Sequence, residues 1–83
     1  TNTTPVTLTK TLKAGMTDME VKELQKYLNT HGYILTTTGI GSPNNETNFF
    51  GQLTKSVVIK FQIANKLTGD GIVGPMTRGL MKN

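Results

Sequence analysis

Residues 21–25 read VKELQ and residues 58–62 read VIKFQ, so an apolar residue, two variable residues, an apolar residue and a glutamine occur twice in the same order. The second copy lies 37 positions after the first. In both copies the apolar residues stand three apart, which is the spacing of one face of an α-helix. The repeated stretch therefore predicts two helices of related design, each with a glutamine beside its apolar face.

A second pair of similar segments follows the first pair. Residues 50–54 read FGQLT and residues 73–77 read VGPMT, but these two segments are only 23 positions apart. The first copy is therefore 14 residues longer than the second between its glutamine and its glycine. These additional residues coincide with the turn-rich stretch from Thr36 to Asn48, which is nearly free of apolar residues. We expect it to form a long polar loop on the surface.

The first helix has clear signals at both ends. Thr17 or Asp18 can cap its start, and Glu20 stands where the glutamate of a capping box would stand. We expect the helix to run from about Asp18 to about His31, with Gly32 in the left-handed conformation just beyond it. His31 is interpreted as a helix-end residue, and Glu20 as a solvated helix charge.

The second helix spans about residues 52–65 and is predicted to be the central one, because apolar residues cover much of its circumference. Its expected apolar stripe consists of Leu53, Val57, Phe61 and Ala64, widened by Val58, Ile59 and Ile63. The third helix begins with Pro75 at its first position and is expected to bury Met76 and Leu80. The predicted fold class is all-α: a small three-helix bundle with a duplicated helix-turn half-motif and a long polar loop between helices 1 and 2.

Length and composition fit one small folded domain and restrict its chemistry. The chain has 83 residues, no cysteine and one histidine, so disulfides and thiolate metal sites are excluded and no metal is expected. Its apolar stretches are far shorter than the roughly 20 residues that span a bilayer, so we expect no membrane insertion. Residues 1–11 are interpreted as a linker or extended lead-in and residues 12–83 as the domain. We expect a monomer that is tethered to other domains.

The net charge of +4 favours a polyanionic partner, but the lysines are scattered rather than clustered. A basic three-helix domain can be a helix-turn-helix that reads nucleic acid with its third helix. Here the third helix offers only Met76, Thr77, Arg78 and Gly79, which argues against that alternative. A pro-segment or interaction domain that keeps only the fold is a further alternative.

In the order of these residues the chain resembles the peptidoglycan-binding domain family, which occurs on wall hydrolases, amidases, carboxypeptidases and spore-cortex enzymes. The resemblance extends from Leu12 to Leu80 and implies a three-helix bundle. The residues that carry it are Leu12, Gly15, Val21, Leu24, Gln25, Leu28, Gly32, Tyr33, Phe50, Gly51, Thr54, Val57 or Val58, Phe61, Gln62, residues 70–75, Thr77 and Leu80. Family members usually have a short Asp-Gly turn before the first Phe-Gly, and the long polar loop replaces it here.

The resemblance implies a noncatalytic module that holds a larger protein, such as a wall-active enzyme, on peptidoglycan in the cell envelope or outside the cell. No cofactor is implied. Peptidoglycan offers acetylated sugars, amides and carboxylates, so its site should supply aromatic faces, hydrogen bonds and a cation. The implied site is a shallow groove where the two turns meet the helix starts.

The residues expected around this groove are Tyr33, Phe50, Asp70, Gly71, Thr77 and Arg78. Phe50 and Thr77 equally suit structural roles, in the core and in the first turn of a helix. A further hypothesis is that the polar loop extends the groove, because its asparagines can bond sugar hydroxyls and Phe49 and Phe50 can give an aromatic platform. The alternative is a surface loop that is pinned by a phenylalanine in the core.

Overall fold

The structure, a computed structural model, describes residues 8–42 and 45–81. It contains three α-helices, α1 (Met19–Thr30), α2 (Gln52–Ala64) and α3 (Pro75–Leu80). Outside the helices the described chain forms turns and two isolated antiparallel bridges, Leu12 with Val73 and Thr17 with Phe49. The predicted all-α class is confirmed, and the ends of α1 and α2 lie within one residue of the predicted ends. No helix of the described chain combines the length and the apolar character that a membrane crossing requires.

Helix α1 begins and ends where local chemistry dictates. Asp18 is its N-cap, and the Asp18 carboxylate accepts a 2.9 Å hydrogen bond from the Glu20 backbone N–H. Beyond its end, Gly32 has a positive φ of 87°. This conformation turns the chain back so that the Tyr33 N–H donates to the Leu28 carbonyl at 2.8 Å. Glycine suits this position because a Cβ is disfavoured there.

The core lies between α1, α2 and the turns that precede α2 and α3. Its members with 0% exposure are Leu12, Val21, Leu24, Leu28, Phe50, Val58 and Val73. Each such side chain stabilises the fold by roughly 1.5–3 kcal/mol relative to an exposed position. Phe50 and Val73 stand immediately before the two repeated glycines, so each turn inserts one apolar side chain into the same core.

The predicted apolar stripe of α2 is wrong at several positions. Leu53 and Ile63 are 51% and 63% exposed, and Ala64 is exposed as well. The helix instead turns Thr54 and Gln62 inward, with 2% and 1% exposure. Its buried residues are Thr54, Val57, Val58, Phe61 and Gln62. The hydrogen bonds of the two polar side chains determine how α2 is rotated, and apolar periodicity does not contain that information.

The predicted buried face of α3 is also wrong. Met76 is 73% exposed and Leu80 is 43% exposed, whereas Thr77 and Met81 are buried. Thr77 faces inward because its hydroxyl accepts a 3.1 Å hydrogen bond from Gln62 Nε2. In a helix of six residues this contact leaves Met76 on the outer side.

The lead-in is attached to the start of α1. Residues 1–7 of the predicted lead-in lie outside the described residues. The Glu20 carboxylate accepts the backbone N–H groups of Thr9 and Lys10 at 2.7 and 3.0 Å, and also the Thr9 hydroxyl. Glu20 is therefore an anchor for the lead-in and not the solvated charge that the sequence predicted.

The residues that follow the lead-in pair with the turns before α2 and α3. Leu12 and Val73 exchange backbone hydrogen bonds of 3.1 and 2.8 Å. The Gly15 N–H donates to the Phe50 carbonyl at 2.8 Å, and the Phe50 N–H donates to the Met16 carbonyl at 2.9 Å. The segment from Leu12 to Met16 therefore joins the turn before α2 to the turn before α3.

The additional residues of the first copy are divided between α1 and the loop. Helix α1 continues for five residues past Gln25, whereas α2 continues for only two past Gln62. Three of the additional residues therefore form most of one extra helical turn, contrary to the expectation that all of them lie in the loop. This turn carries Asn29, which is only 8% exposed.

Asn29 holds the long loop in place. Its Nδ2 donates to the Gly41 carbonyl at 3.0 Å and to a Glu46 carboxylate oxygen at 2.9 Å. Its Oδ1 accepts the Leu35 N–H at 3.0 Å. Ser42 in the same loop is 4% exposed, so the loop is partly buried and not wholly on the surface as expected. The extra turn of α1 and the shape of the loop thus depend on each other.

Candidate functional site

A buried glutamine on α2 organises the turn between α2 and α3. Gln62 Nε2 donates to the Ile72 carbonyl at 2.9 Å and to the Thr77 hydroxyl at 3.1 Å. Its Oε1 accepts the Gly71 N–H at 2.9 Å. Both ends of the buried amide are thus satisfied, as is usual for polar groups without access to water. This one side chain holds the turn and the start of α3 in a single arrangement.

Gln25 on α1 makes the corresponding bonds to the segment before α2. Its Nε2 donates to the Phe49 carbonyl at 3.0 Å and to the Thr54 hydroxyl at 2.9 Å, and its Oε1 accepts the Thr47 N–H at 2.7 Å. Neither glutamine is among the predicted site residues. The signal that could have identified them is a glutamine that recurs beside an otherwise apolar helix face in both copies.

The first groove, called the C-terminal groove, lies between the end of α2, the following turn and the start of α3. It has a volume of about 400 Å³. Its lining residues are Gln62, Lys66, Leu67, Thr68, Asp70, Ile72, Gly74, Pro75, Met76 and Thr77. Ile72 and Met76 are 40% and 73% exposed, so the groove combines an apolar wall with charged and hydrogen-bonding groups.

Asp70 places a carboxylate at the edge of the C-terminal groove. Its Oδ1 accepts the Ile72 N–H at 2.9 Å and Gln62 Nε2 at 3.0 Å. The pKa of Asp70 is lowered, first by the hydrogen bond from the Ile72 backbone and then by the bond from the Gln62 side chain. The exposed carboxylate is therefore ionised at neutral pH and can accept N–H or O–H groups of a ligand.

The second groove, called the loop groove, lies between the long loop and the start of α2. It has a volume of about 230 Å³. Its lining residues are Gln25, Leu35, Ile40, Gly41, Thr47, Phe49, Gly51, Gln52, Leu53 and Thr54. Three apolar side chains reach the solvent here, since Ile40, Phe49 and Leu53 are 77%, 52% and 51% exposed. No charged residue is among its lining residues, and the Phe49 ring gives it an aromatic face.

The structure brings three of the six predicted site residues together. Asp70 and Thr77 line the C-terminal groove, and Gly71 lies next to it with its N–H on Gln62. Thr77 is 4% exposed and already hydrogen-bonded. Gly71 has a φ of 75°, and an added Cβ would stand 2.8 Å from Lys55 Cγ. Thr77 and Gly71 therefore shape the groove, whereas Asp70 faces the solvent.

The other three predicted residues lie outside the linings of both grooves. Phe50 is 0% exposed in the core and offers no surface to a ligand, whereas the adjacent Phe49 does. Tyr33 is half-buried with its ring edge-on to Phe61, at 5.3 Å between centroids. Arg78 is partly buried on α3, and its Nε has no hydrogen-bond partner among the described residues.

His31 closes α1 as the sequence predicts. Its Nδ1 lies 2.8 Å from the Tyr27 carbonyl oxygen, and its ring stacks on the Tyr27 ring with 3.9 Å between centroids. Over residues 8–42 and 45–81 no three His, Cys, Asp or Glu side chains gather in a way that could hold a metal ion. Packing at the end of α1 accounts for the contacts of this histidine.

Helix α3 bears on the nucleic-acid alternative. It reads PMTRGL and carries one cation, Arg78, which is partly buried. A reading helix directs several polar and basic side chains into a groove of the nucleic acid. The outer side of α3 exposes Met76 and Leu80 instead, so its surface does not favour that function.

Comparison with known families adds an independent finding. The sequence model of the peptidoglycan binding domain matches residues 17–81, which is well over half of the chain. The matched range includes all three helices, both buried glutamines and both grooves. No curated protein matches the chain.

Proposed function

The chain belongs to the peptidoglycan binding domain family, and from that membership we propose that it is a noncatalytic module that holds a larger protein on the cell wall. The larger protein is a wall-active enzyme, and the module acts in the envelope or outside the cell. It makes and breaks no bonds itself. Tethering raises the local concentration of the partner domain on the polymer, so a modest affinity of the module suffices.

One observation carries the proposal beyond family membership: the C-terminal groove joins an ionised carboxylate to an apolar wall on a rigid frame. Asp70 can accept the amide N–H and hydroxyl groups of peptidoglycan, while Ile72 and Met76 can cover its methyl groups. Gln62 bonds both sides of the groove. Binding therefore requires little ordering of the protein, which favours affinity.

The loop groove is proposed as a second contact with the same polymer. Its Phe49 ring is 52% exposed, and an exposed aromatic face can cover the apolar face of a sugar ring. Gln52 and Thr47 line the same groove and can bond sugar hydroxyls. The additional residues of the first half would then widen the surface that the module applies to the wall.

We further propose that the two halves descend from one duplicated helix-turn half-motif. Gln25 and Gln62 support this origin, because each bonds a carbonyl of the turn that precedes the next helix. Each also bonds the threonine in the first turn of that helix, Thr54 or Thr77. The long loop and the extra turn of α1 are then later additions to the first copy.

Co-sedimentation with purified sacculi tests the proposed function. The wild type is expected to pellet with sacculi at moderate salt while circular dichroism shows that it is folded. Asp70→Asn removes the charge in the C-terminal groove and should lower the pelleted fraction about 3-fold. Glu23→Gln is the matched control, because Glu23 lies outside both grooves and makes only a 3.7 Å surface pair with Lys26.

A folded wild type that stays in the supernatant would refute the proposal. Specific, salt-sensitive binding to duplex DNA would then favour the nucleic-acid alternative. Equal losses for Asp70→Asn and Glu23→Gln would indicate an effect of net charge and remove the C-terminal groove from the site.

A further inference from the structure

Lys66 adopts a backbone conformation that its residue type disfavours. Within residues 8–42 and 45–81 it is the one non-glycine with a positive φ, at 63°. A Cβ crowds the backbone in this left-handed region, so a lysine here costs folding free energy that a glycine would not. Such strain, where it occurs in a structure, is a reason to look for a function of the residue.

The first half of the molecule contains the matched position. Gly32 lies after the C-cap of α1, and Lys66 lies after the C-cap of α2. At both places the chain turns back through an equivalent hydrogen bond. The Tyr33 N–H reaches the Leu28 carbonyl at 2.8 Å, and the Leu67 N–H reaches the Gln62 carbonyl at 2.8 Å. The turn therefore needs no side chain at this position, and the lysine of the second half does not serve the backbone.

Lys66 is one of the residues that line the C-terminal groove, as Asp70 is. Ion pairs join Lys10 with Asp18 and Lys26 with Glu23, and no ion pair joins Lys66 or Asp70 to another described residue. The lining of the groove thus includes a basic and an acidic residue that do not form an ion pair with each other.

Two separated charges of opposite sign suit a ligand that has both a carboxylate and amide or amine N–H groups. In peptidoglycan that description fits the stem peptide better than the neutral sugars of the glycan. An ammonium pairs with carboxylates through charge-assisted hydrogen bonds, and these are stronger than neutral ones.

We propose that the C-terminal groove takes the stem peptide and that Lys66 bonds a free carboxylate of it, a deeper assignment that rests on the proposed wall binding. Asp70 receives N–H groups of the same peptide. Ile72 and Met76 cover its small apolar side chains. The contribution of the Lys66 charge to binding then explains why a lysine, and not a glycine, occupies this left-handed position.

The first test compares two variants that each remove one positive charge. Lys66→Asn keeps a residue type that tolerates positive φ, and it should weaken sacculus binding roughly 3- to 10-fold. Lys60→Gln is the control, because Lys60 is exposed on α2 and lies outside both groove linings. This control should bind within about 1.5-fold of the wild type.

A third variant separates binding from folding. Lys66→Gly removes the charge and also the backbone strain, so it should weaken binding as much as Lys66→Asn does. At the same time it should raise the thermal midpoint by a few degrees, on the order of 4 °C. A variant that is more stable and yet binds less cannot owe the lost binding to misfolding.

Competition identifies the part of the polymer that is bound. A soluble stem peptide with free carboxyl groups should displace the wild type from sacculi, and the same peptide with amidated carboxyl groups should do so at least 3-fold less well. Against Lys66→Asn the two peptides should be equally weak. Peptide-free glycan strands should compete less than the free-carboxyl peptide.

The outcomes distinguish the stem-peptide proposal from the proposal of wall binding on which it rests. A wild type that does not pellet overturns wall binding itself. A wild type that pellets, with Lys66→Asn binding equally well or with glycan strands as the better competitor, overturns the stem-peptide assignment and leaves wall binding intact.

Discussion

The two halves of the molecule share one hydrogen-bonded arrangement, called the frame, and differ in the segments that are attached to it. In each half a buried glutamine joins a helix to the next turn and to a threonine one turn into the next helix. The first half has an extra helical turn and a long loop, and Gly32 lies just beyond the end of α1. The second half has a short turn, and Lys66, with its strained backbone, lies just beyond the end of α2.

The difference shows that the hydrogen bonds of Gln25 and Gln62 stabilise the fold in both halves. The long loop, the extra turn of α1 and Lys66 make the surfaces of the two halves differ. The loop groove is lined by apolar and uncharged polar residues, whereas the C-terminal groove contains Lys66 and Asp70. Two equivalent positions in the two halves thus carry different side-chain chemistry. Variants at matched positions of the two halves can test how far this equivalence extends.

The largest effect is expected from breaking the frame. Gln62→Leu leaves the Gly71 N–H and the Thr77 hydroxyl without their buried partner, and Gln25→Leu does the same to Thr47 and Thr54. Each substitution should lower the free energy of unfolding by about 2–4 kcal/mol, measured by urea titration.

The control for the frame is the exposed Gln52, where leucine should change the free energy of unfolding by no more than about 0.5 kcal/mol. If one of the two buried glutamines could be replaced without loss while the other could not, the two halves would not share a frame.

The next effect concerns the attachment that is found only in the first half. Asn29→Ala removes the partner of the Leu35 N–H and of the Gly41 carbonyl and should cost about 1–2 kcal/mol. Hydrogen exchange at the Leu35 amide should accelerate more than exchange in α2. Unchanged protection of Leu35 would mean that the loop keeps its shape without the extra turn of α1.

Exchanging the residues that follow the two helices sharpens the comparison directly. Gly32→Lys should destabilise the protein by about 1 kcal/mol, and Lys66→Gly should stabilise it by a similar amount. The double variant should return close to the wild-type midpoint in thermal unfolding, since the sites are independent. Two changes of the same sign would show that the two turns are not equivalent.

Measuring stability over a range of pH tests Asp70, a carboxylate of the second half. The pKa of Asp70 in the folded state lies below its ordinary value of 3.8, because the Ile72 N–H and then Gln62 donate to the carboxylate. Its contribution to stability is therefore fully present above the unfolded pKa and is lost as the pH falls through the lowered folded pKa.

Thermal midpoints between about pH 5 and about pH 2 should accordingly fall less steeply for Asp70→Asn than for the wild type. Asp18 also has a lowered pKa, owing first to its hydrogen bond with Lys10, so both proteins keep part of the slope. Parallel curves would show that the Asp70 carboxylate does not stabilise the second turn.

The smallest effect is expected at the loop groove. Phe49→Ala should lower the free energy of unfolding by less than about 1 kcal/mol, because half of the side chain is already in water. Sacculus binding should fall about 2-fold. Ile63→Ala is the matched control, as Ile63 is 63% exposed and outside both grooves. Equal binding by both variants would confine the site to the C-terminal groove.

The sequence predicts the helices well and their orientations poorly. The helix ends follow from local chemistry at Asp18, Gly32 and Pro75, and each of these acts within a few residues of itself. The rotation of α2 and α3 depends on the Gln62 bond to Thr77, which joins residues 15 positions apart. Apolar periodicity therefore places Leu53 and Met76 on the wrong face.

The candidate site shows the same limit. Asp70 is predictable because an aspartate before glycine marks an exposed turn, and the structure places it at a groove. Phe49 and Phe50 are identical in type and adjacent, and only the packing of the turn determines which one is buried. The positive φ of Lys66 has no signal in the sequence, because a lysine rarely adopts this backbone conformation.

The attachment of the segment from Thr9 to Met16 has a mechanical consequence. A domain attached on that side would pull through Thr9, whose backbone and hydroxyl are bound to Glu20, and next through the Leu12 pairing with Val73. These bonds pass the tension to α1 through Glu20 and to the turn before α3 through Val73. Because Gly15 and Met16 also bond the turn before α2, tension would be distributed between α1 and both turns.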